Sequence, residues 1–355
     1  MDRRTLLKAG LATGAGGLLA PGVGAVTAEM AARPRIGRTL ARDLRVPWGI
    51  TFLPGGDALV GERDSARIYR VRRDGGRRLV GRVPGVVAGG PSGEGWLLGL
   101  ALSPRWRSNH WLYAYLSSGS DNRIVRMRYA GGELGRPRVV LGGIPSGTYH
   151  NGGRLAFGPG GLLFATTGDA GNGENAQNRR SLAGKILRLT PDGDVPRGNP
   201  FGNYTWSYGH RNPEGIAFAP DGTLWSSEFG EKRADELNRI VRGGNYGWPR
   251  AEGEDGPGGY RDPLAQWATD ACSPSGIAVA RGRAWLGALQ GRCIYTVRLS
   301  GPGRGRQHRY FTDAYGRIRT VVSAPDGSLW FTTSNHDGRG APGPDDDRII
   351  RVRLG

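Results

Sequence analysis

The chain predicts an all-β fold, a six-bladed β-propeller with four-stranded antiparallel blades. Three observations carry this expectation. A single phrase recurs six times along the 355 residues: an apolar strand, a Pro/Gly/Asp turn, a second apolar strand, a polar loop and a strand of alternating Ile/Val and Arg. Anchored on Ile50, Leu100, Leu155, Ile216, Ile277 and Val321, the copies follow one another at about 44 to 61 residues, the spacing of propeller blades. The 63 glycines suit many turns and argue against long helices.

The first copy reads WGITFLPGGDALVGERDSARIYRVRRDG from Trp48, and the second LGLALSPRWRSNHWLYAYLSSGSDNRIVRMRY from Leu98. The third opens GRLAFGPGGLLFATTGD at Gly153 and resumes at GKILRLTPDG; the fourth is EGIAFAPDGTLWSSEFG from Glu214, continued by DELNRIVRGG. SGIAVARGRAWLGALQGRCIYTVRL from Ser275 is the fifth, and RTVVSAPDGSLWFTTSN from Arg319, completed by DDRIIRVRL, the sixth. Each alternates apolar and polar residues with the period of a half-buried strand. Asp221-Gly222 and Asp326-Gly327 are read as hairpin turns. A lone blade has two apolar faces to cover, and a ring of six covers both. A two-sheet sandwich also shows regular short strands, but six matched copies favour the propeller. The final blade is expected to borrow a strand near residues 38–46 to close the ring. Insertions at 170–181 and 251–274 read as loops on one rim.

Residues 1–28, with Arg3-Arg4 ahead of a small apolar stretch, read as a twin-arginine export signal cleaved near Ala25 or Ala28. Residues 29–36 follow as a linker and 37–355 as the propeller, with no stable membrane insertion expected after cleavage. The net charge is +18, almost all arginine, since only Lys8, Lys185 and Lys232 are lysines. The arginines are spread over the repeats and no nucleic-acid motif occurs, so no nucleic-acid partner is expected. Cys272 and Cys293 form either a disulfide or two buried thiols, and spacing does not decide between them.

Function should sit where copies depart from what a blade needs. Tyr149-His150-Asn151-Gly152-Gly153-Arg154 precedes the innermost strand of the third repeat, and Tyr208-Gly209-His210-Arg211-Asn212-Pro213 the fourth. Glu228-Phe229-Gly230-Glu231 ends the second strand of that repeat. Innermost strands surround the axis, so these segments should meet at the channel mouth.

HNGGRLAFGPGGLLFATTGD, LAGKILRLTPDG, YGHRNPEGIAFAPDGTLWSSEFG and DELNRIVRGGNYGWP resemble the soluble quinone-dependent glucose dehydrogenases, also called aldose sugar or glucose/sorbosone dehydrogenases. The likeness spans essentially the whole mature chain. It implies a propeller that uses pyrroloquinoline quinone (PQQ) and calcium to oxidise an aldose to its lactone and passes electrons to an external acceptor. By the same resemblance His150 is the catalytic base, suited to it as a neutral imidazole. Asp169 orients that histidine, unless it merely caps a turn. Arg211 stabilises charge on the quinone and Asn212 contacts it. Gly230 and Glu231 offer carbonyls to calcium. Arg317 and Arg319, two residues apart on a strand, pair with quinone carboxylates, unless they are ordinary solvated arginines. Glu236 and Tyr246 match positions giving backbone oxygens to a second calcium; the alternative is a solvated strand edge and a packed turn. The acidic run 345–347 reads as a cation site or, more simply, a solvated loop.

Two positions depart from the family pattern. Gln290 stands where a quinone-contacting lysine is expected, which leaves Arg292 as a substitute charge, and Glu94 stands where a glutamine is common. The glutamine expected after Asp169 has two candidates, Glu174 and Gln177. Competing readings are a calcium-dependent sugar lactonase, which needs carboxylates converging on an axial metal, and an exported, non-catalytic propeller that binds a glycan or protein.

Overall fold

The computed structural model describes residues 33–87, 93–254, 256 and 258–355, with one compact unit over Pro34–Leu354. The expected export signal 1–28 lies outside the described residues. Six antiparallel sheets follow in chain order. Five are built from consecutive strands, opening with Pro47–Phe52, Leu97–Leu102, Leu155–Phe157, Asn212–Phe218 and Pro274–Ala280. The second sheet carries an extra two-residue strand, Glu133–Leu134.

The sixth sheet joins the chain's two ends. Ile318–Ser323, Leu329–Thr333 and Ile349–Arg353 are completed by Arg35–Ala41, which runs antiparallel to Ile349–Arg353. The closing strand therefore starts earlier than residues 38–46 and takes Arg35 and Ile36 from the stretch expected as linker.

Each first strand touches the next, and the strand of the sixth sheet returns to that of the first, so the six surround an axis. Close approach there requires glycine: a Cβ on Gly99 would lie 2.2 Å from the Gly153 carbonyl, and one on Gly215 2.4 Å from that of Ser275. Apolar cores fill every interval between neighbouring blades, including Leu59 with Met127, Phe164 with Ile240, and Trp330 with Ile50. At roughly 1.5–3 kcal/mol for each fully buried aliphatic side chain, these cores hold the ring together.

At the axis the Arg154 guanidinium lies 3.7 Å from the Trp48 ring centroid. It donates to the carbonyls of Trp48 at 3.0 Å and Glu214 at 2.9 Å and to Thr320 Oγ1 at 3.3 Å. One buried side chain thus ties together blades one, three, four and six.

The hairpin turns form as expected, with positive φ at Gly222 (82°) and Gly327 (79°) and with Asp221 and Asp326 side chains accepting amides two residues on. Two expectations change and one open choice is settled. The segment 251–274 is not all loop, since Ala265–Trp267 is the outer strand of the fourth blade. The 345–347 run is solvated only at Asp345, since Asp346 and Asp347 are buried. Asp347 accepts the amides of Val46 at 3.0 Å and Asn335 at 2.6 Å, which clamps the N-terminal segment to the last blade. Cys272 and Cys293 are buried, free thiols rather than a disulfide.

Candidate active site at the channel mouth

His150 sits on the segment entering the third blade, in left-handed backbone conformation with φ 60°. Its amide donates to Glu94 Oε2 at 3.0 Å, and Tyr149 packs edge-on against the ring at 4.6 Å. His150 Nδ1 lies 2.7 Å from Asp169 Oδ1. An ionised carboxylate only accepts, so this bond places hydrogen on Nδ1 and the lone pair on Nε2. Asp169 is buried just past Leu163–Thr167. Its Oδ1 also accepts the Gly171 amide at 2.8 Å, its Oδ2 accepts Trp248 Nε1 at 2.8 Å, and its own amide donates to the Arg211 carbonyl at 2.8 Å. It caps a turn and orients the histidine at once.

Arg211 and Asn212 come from the next blade. The Arg211 amide is held by Glu228 Oε1, whose other oxygen takes His210 Nδ1 at 2.8 Å, and the guanidinium lies over Trp248 at 5.4 Å. Asn212 Oδ1 accepts the Gly152 amide at 3.0 Å. Arg211 Nε and Asn212 Nδ2 are buried donors with no acceptor among the described residues. A buried unsatisfied donor is costly, so the pair is disposed toward a ligand rich in acceptor oxygens.

The turn after Leu224–Phe229 has a comparable bias. Glu252 Oε1 accepts four successive amides, those of Glu231, Lys232, Arg233 and Ala234, at 2.7–3.1 Å. Because a trans peptide is planar, the carbonyls of Gly230 and Glu231 must then point away from Glu252. Among the described residues nothing donates to either oxygen. Hard cations take such oxygens, so this donor set fits calcium.

A pocket of about 660 Å³ gathers Glu94, His150, Asp169, Arg211, Gly230, Glu231 and Gln290. Five others that the sequence reading placed in the site do not line it. Asn212 is buried beside it. Arg319 borders an adjoining, narrower pocket, while Arg317 lines neither. Both arginines are buried rather than solvated: Asp337 Oδ2 takes Arg317 Nε at 2.9 Å and an Arg319 Nη at 3.2 Å, and Glu214 Oε2 takes the other Arg319 Nη at 3.0 Å. Glu236 and Tyr246 also lie off this pocket. Glu236 is no solvated edge, being buried against the Gly253 amide (2.6 Å) and Asn238 Nδ2 (2.8 Å), and burial, with Glu228 adjacent, pushes its pKa up to about 8. Tyr246 stacks on His210 at 4.6 Å and donates to the Arg239 carbonyl. Of the two glutamine candidates, Gln177 bonds Asn245 and the Trp248 carbonyl, and Glu174 lines a neighbouring groove.

Sequence reading missed several residues. Asp235 lines the pocket and accepts the amides of Gly230 (3.0 Å) and Ser273 (2.6 Å); burial pushes its carboxyl up to about 7. Trp248, Glu252, Asp337 and Arg339 were missed as well. Trp248 falls inside the DELNRIVRGGNYGWP segment, and the others lie in long, irregular segments beside the motifs. No group of three or more His, Cys, Asp or Glu side chains gathers as a metal site among the described residues, so the donor set of a carboxylate-held metal is not assembled.

The fold is a six-bladed β-propeller, and the candidate site gathers segments that enter its third and fourth blades. The chain belongs to the glucose/sorbosone dehydrogenase family, whose model matches residues 44–350. It is similar to the PQQ-bound aldose sugar dehydrogenase of Streptomyces coelicolor, with 49% identity and a TM-score of 0.87 over 91% of this chain and 98% of that one. The quinoprotein glucose dehydrogenase B of Acinetobacter calcoaceticus is 31% identical, over 69% of this chain and 59% of its own length. An aldose sugar dehydrogenase of Escherichia coli is 29% identical over 82% and 88%. A gluconolactonase from Xanthomonas campestris shares the fold alone, at 17% identity and a TM-score of 0.57.

Proposed function

We propose that the protein oxidises an aldose to its lactone with PQQ and calcium, and that it works outside the cytoplasm after export through its twin-arginine leader. The observation that carries this reading is the His150–Asp169 pair set beside two acceptor-less donors, Arg211 Nε and Asn212 Nδ2. When bound, the quinone supplies an electron-poor carbonyl that accepts hydride from the sugar. His150 Nε2 takes the proton of the anomeric hydroxyl, and Asp169 holds the ring in the required tautomer and stabilises the imidazolium that results. Arg211 and Asn212 would hold the quinone by donating to its oxygens and would stabilise negative charge on them. The carbonyls of Gly230 and Glu231 hold calcium, whose charge offsets the carboxylates crowding the pocket. An external acceptor would take up the two electrons removed from the sugar.

The test is reconstitution. Protein made without cofactor is given PQQ, calcium, or both, and dye reduction is followed with a panel of aldoses. Activity that requires both additions is the expected result. Absence of quinone binding at micromolar concentration overturns the reading and leaves a non-catalytic sugar- or protein-binding propeller. Release of acid from sugar lactones, with no dye reduction, would instead identify a lactonase.

A further inference from the structure

The charge that the expected lysine would have supplied is absent at Gln290, and its replacement is not obvious from sequence. Arg292, the nearest cation in the chain, turns away: it pairs with Asp313 at 2.6 Å and does not line the pocket. Arg317 and Arg319 are already matched by buried Asp337 and Glu214. The guanidiniums that line the main pocket are those of Arg211 and Arg339, facing five carboxylates. A polycarboxylate ligand entering such a space needs a cation able to leave its present partner.

Arg339 meets that need. Asp337 anchors its backbone, Oδ1 accepting the Arg339 amide at 3.0 Å, while Oδ2 of the same carboxylate holds Arg317 and Arg319. The Arg339 side chain is 62% exposed and makes one ion pair, to Glu94 Oε1 at 3.1 Å. Exposed pairs of this kind contribute about 0–1 kcal/mol, so exchange for another carboxylate is inexpensive. Glu94 keeps a second partner in the His150 amide.

Resting on the proposed quinone chemistry, we propose that Arg339 is the mobile cationic ligand for a carboxylate of PQQ, taking the place of the missing lysine, and that Glu94 is the counter-ion it releases. Arg339 thereby offsets one departure at a time, the gained charge at Glu94 before the cofactor enters and the lost charge at Gln290 afterwards. A guanidinium suits the task because it meets a carboxylate through two parallel N–H donors.

The test measures PQQ affinity directly, by calorimetric titration of the calcium-loaded full-length protein, with no turnover required. Arg339→Ala should weaken binding by about 10- to 100-fold, the effect of removing one charge-assisted hydrogen-bonded pair, and should flatten the dependence of affinity on salt. Arg339→Lys should recover part of the loss. Arg292→Ala should bind as the unaltered protein does, and Glu94→Gln should bind more tightly. Melting curves of Arg339→Ala, expected to match the parent, separate binding loss from unfolding. If the parent binds PQQ and Arg339→Ala binds it equally well, this assignment is wrong while the proposed function stands. If the parent itself fails to bind, both fall.

Discussion

Trp248 Nε1 donates to the Asp169 oxygen that His150 does not use, at 2.8 Å and across 79 positions of sequence. The indole therefore fixes the carboxylate from one side while the imidazole occupies the other. Its ring also underlies the Arg211 guanidinium, so a single side chain braces the His150–Asp169 pair and the cation beside it.

Trp248→Phe keeps an aromatic face under Arg211 and removes only the N–H donor. A hydrogen bond to a charged group contributes about 1.5–3 kcal/mol. The expected outcome is a drop in kcat with KM little changed, read by steady-state dye reduction, and a lowered Tm. Unaltered kcat would show that Asp169 is held adequately by Gly171 and its own backbone.

Replacing His150 by Ala should cut turnover by about 10²- to 10⁴-fold, the usual contribution of a positioned base, with PQQ affinity retained. Stopped-flow reduction of the loaded variant checks the first point and titration the second. Loss of binding would mean that the histidine serves the cofactor and not the sugar proton.

Glu252→Ala deletes the acceptor for four amides of the 231–234 turn. The carbonyls of Gly230 and Glu231 then lose their enforced direction, and calcium affinity should fall by about 10- to 100-fold, as when outer partners of a metal site are removed. Glu252→Gln retains an oxygen and should lie between the two. Calcium titration followed by melting temperature measures both.

Lys185 is buried, and its Nζ donates to three carbonyls, those of Asn175 and Ala183 at 2.7 Å and Ala176 at 3.0 Å. Burial pushes its pKa from 10.5 down to about 7. Between these values the unfolded chain binds more protons than the folded one, so this group makes stability rise as pH increases from 7 toward 10. Lys185→Met should be less stable than the parent, and the gap measured by urea unfolding should widen over that window. A gap independent of pH contradicts the depressed pKa.

The blades were legible because alternation within a strand and recurrence between strands are both local patterns. Ile50, Ile216 and Val321 announce inner strands by their neighbours alone. His150, Arg211 and Asn212 stood out because they interrupt those patterns at equivalent places. What could not be read depends on contacts between distant segments. Trp248 and Glu252 act on residues 79 and about 20 positions away through loops without repeat character. The acidic 345–347 run looked solvated because charge is usually outside; Asp347 is inside because the amides of Val46 and Asn335, brought together only by ring closure, satisfy it. Arg317 and Arg319 were read as available cations because sequence could not show Asp337 beneath them.

Ring closure by Arg35–Ala41 on Ile349–Arg353 has a consequence for the order of assembly. A chain growing from its N-terminus holds an unpaired Arg35–Ala41 through the synthesis of five blades and most of a sixth. Until Asp347 exists, the amides of Val46 and Asn335 lack their shared acceptor, and until Thr320 exists Arg154 cannot reach blade six. The lining of the candidate site runs from Glu94 to Arg339, so it is assembled only after part of the sixth blade has been made.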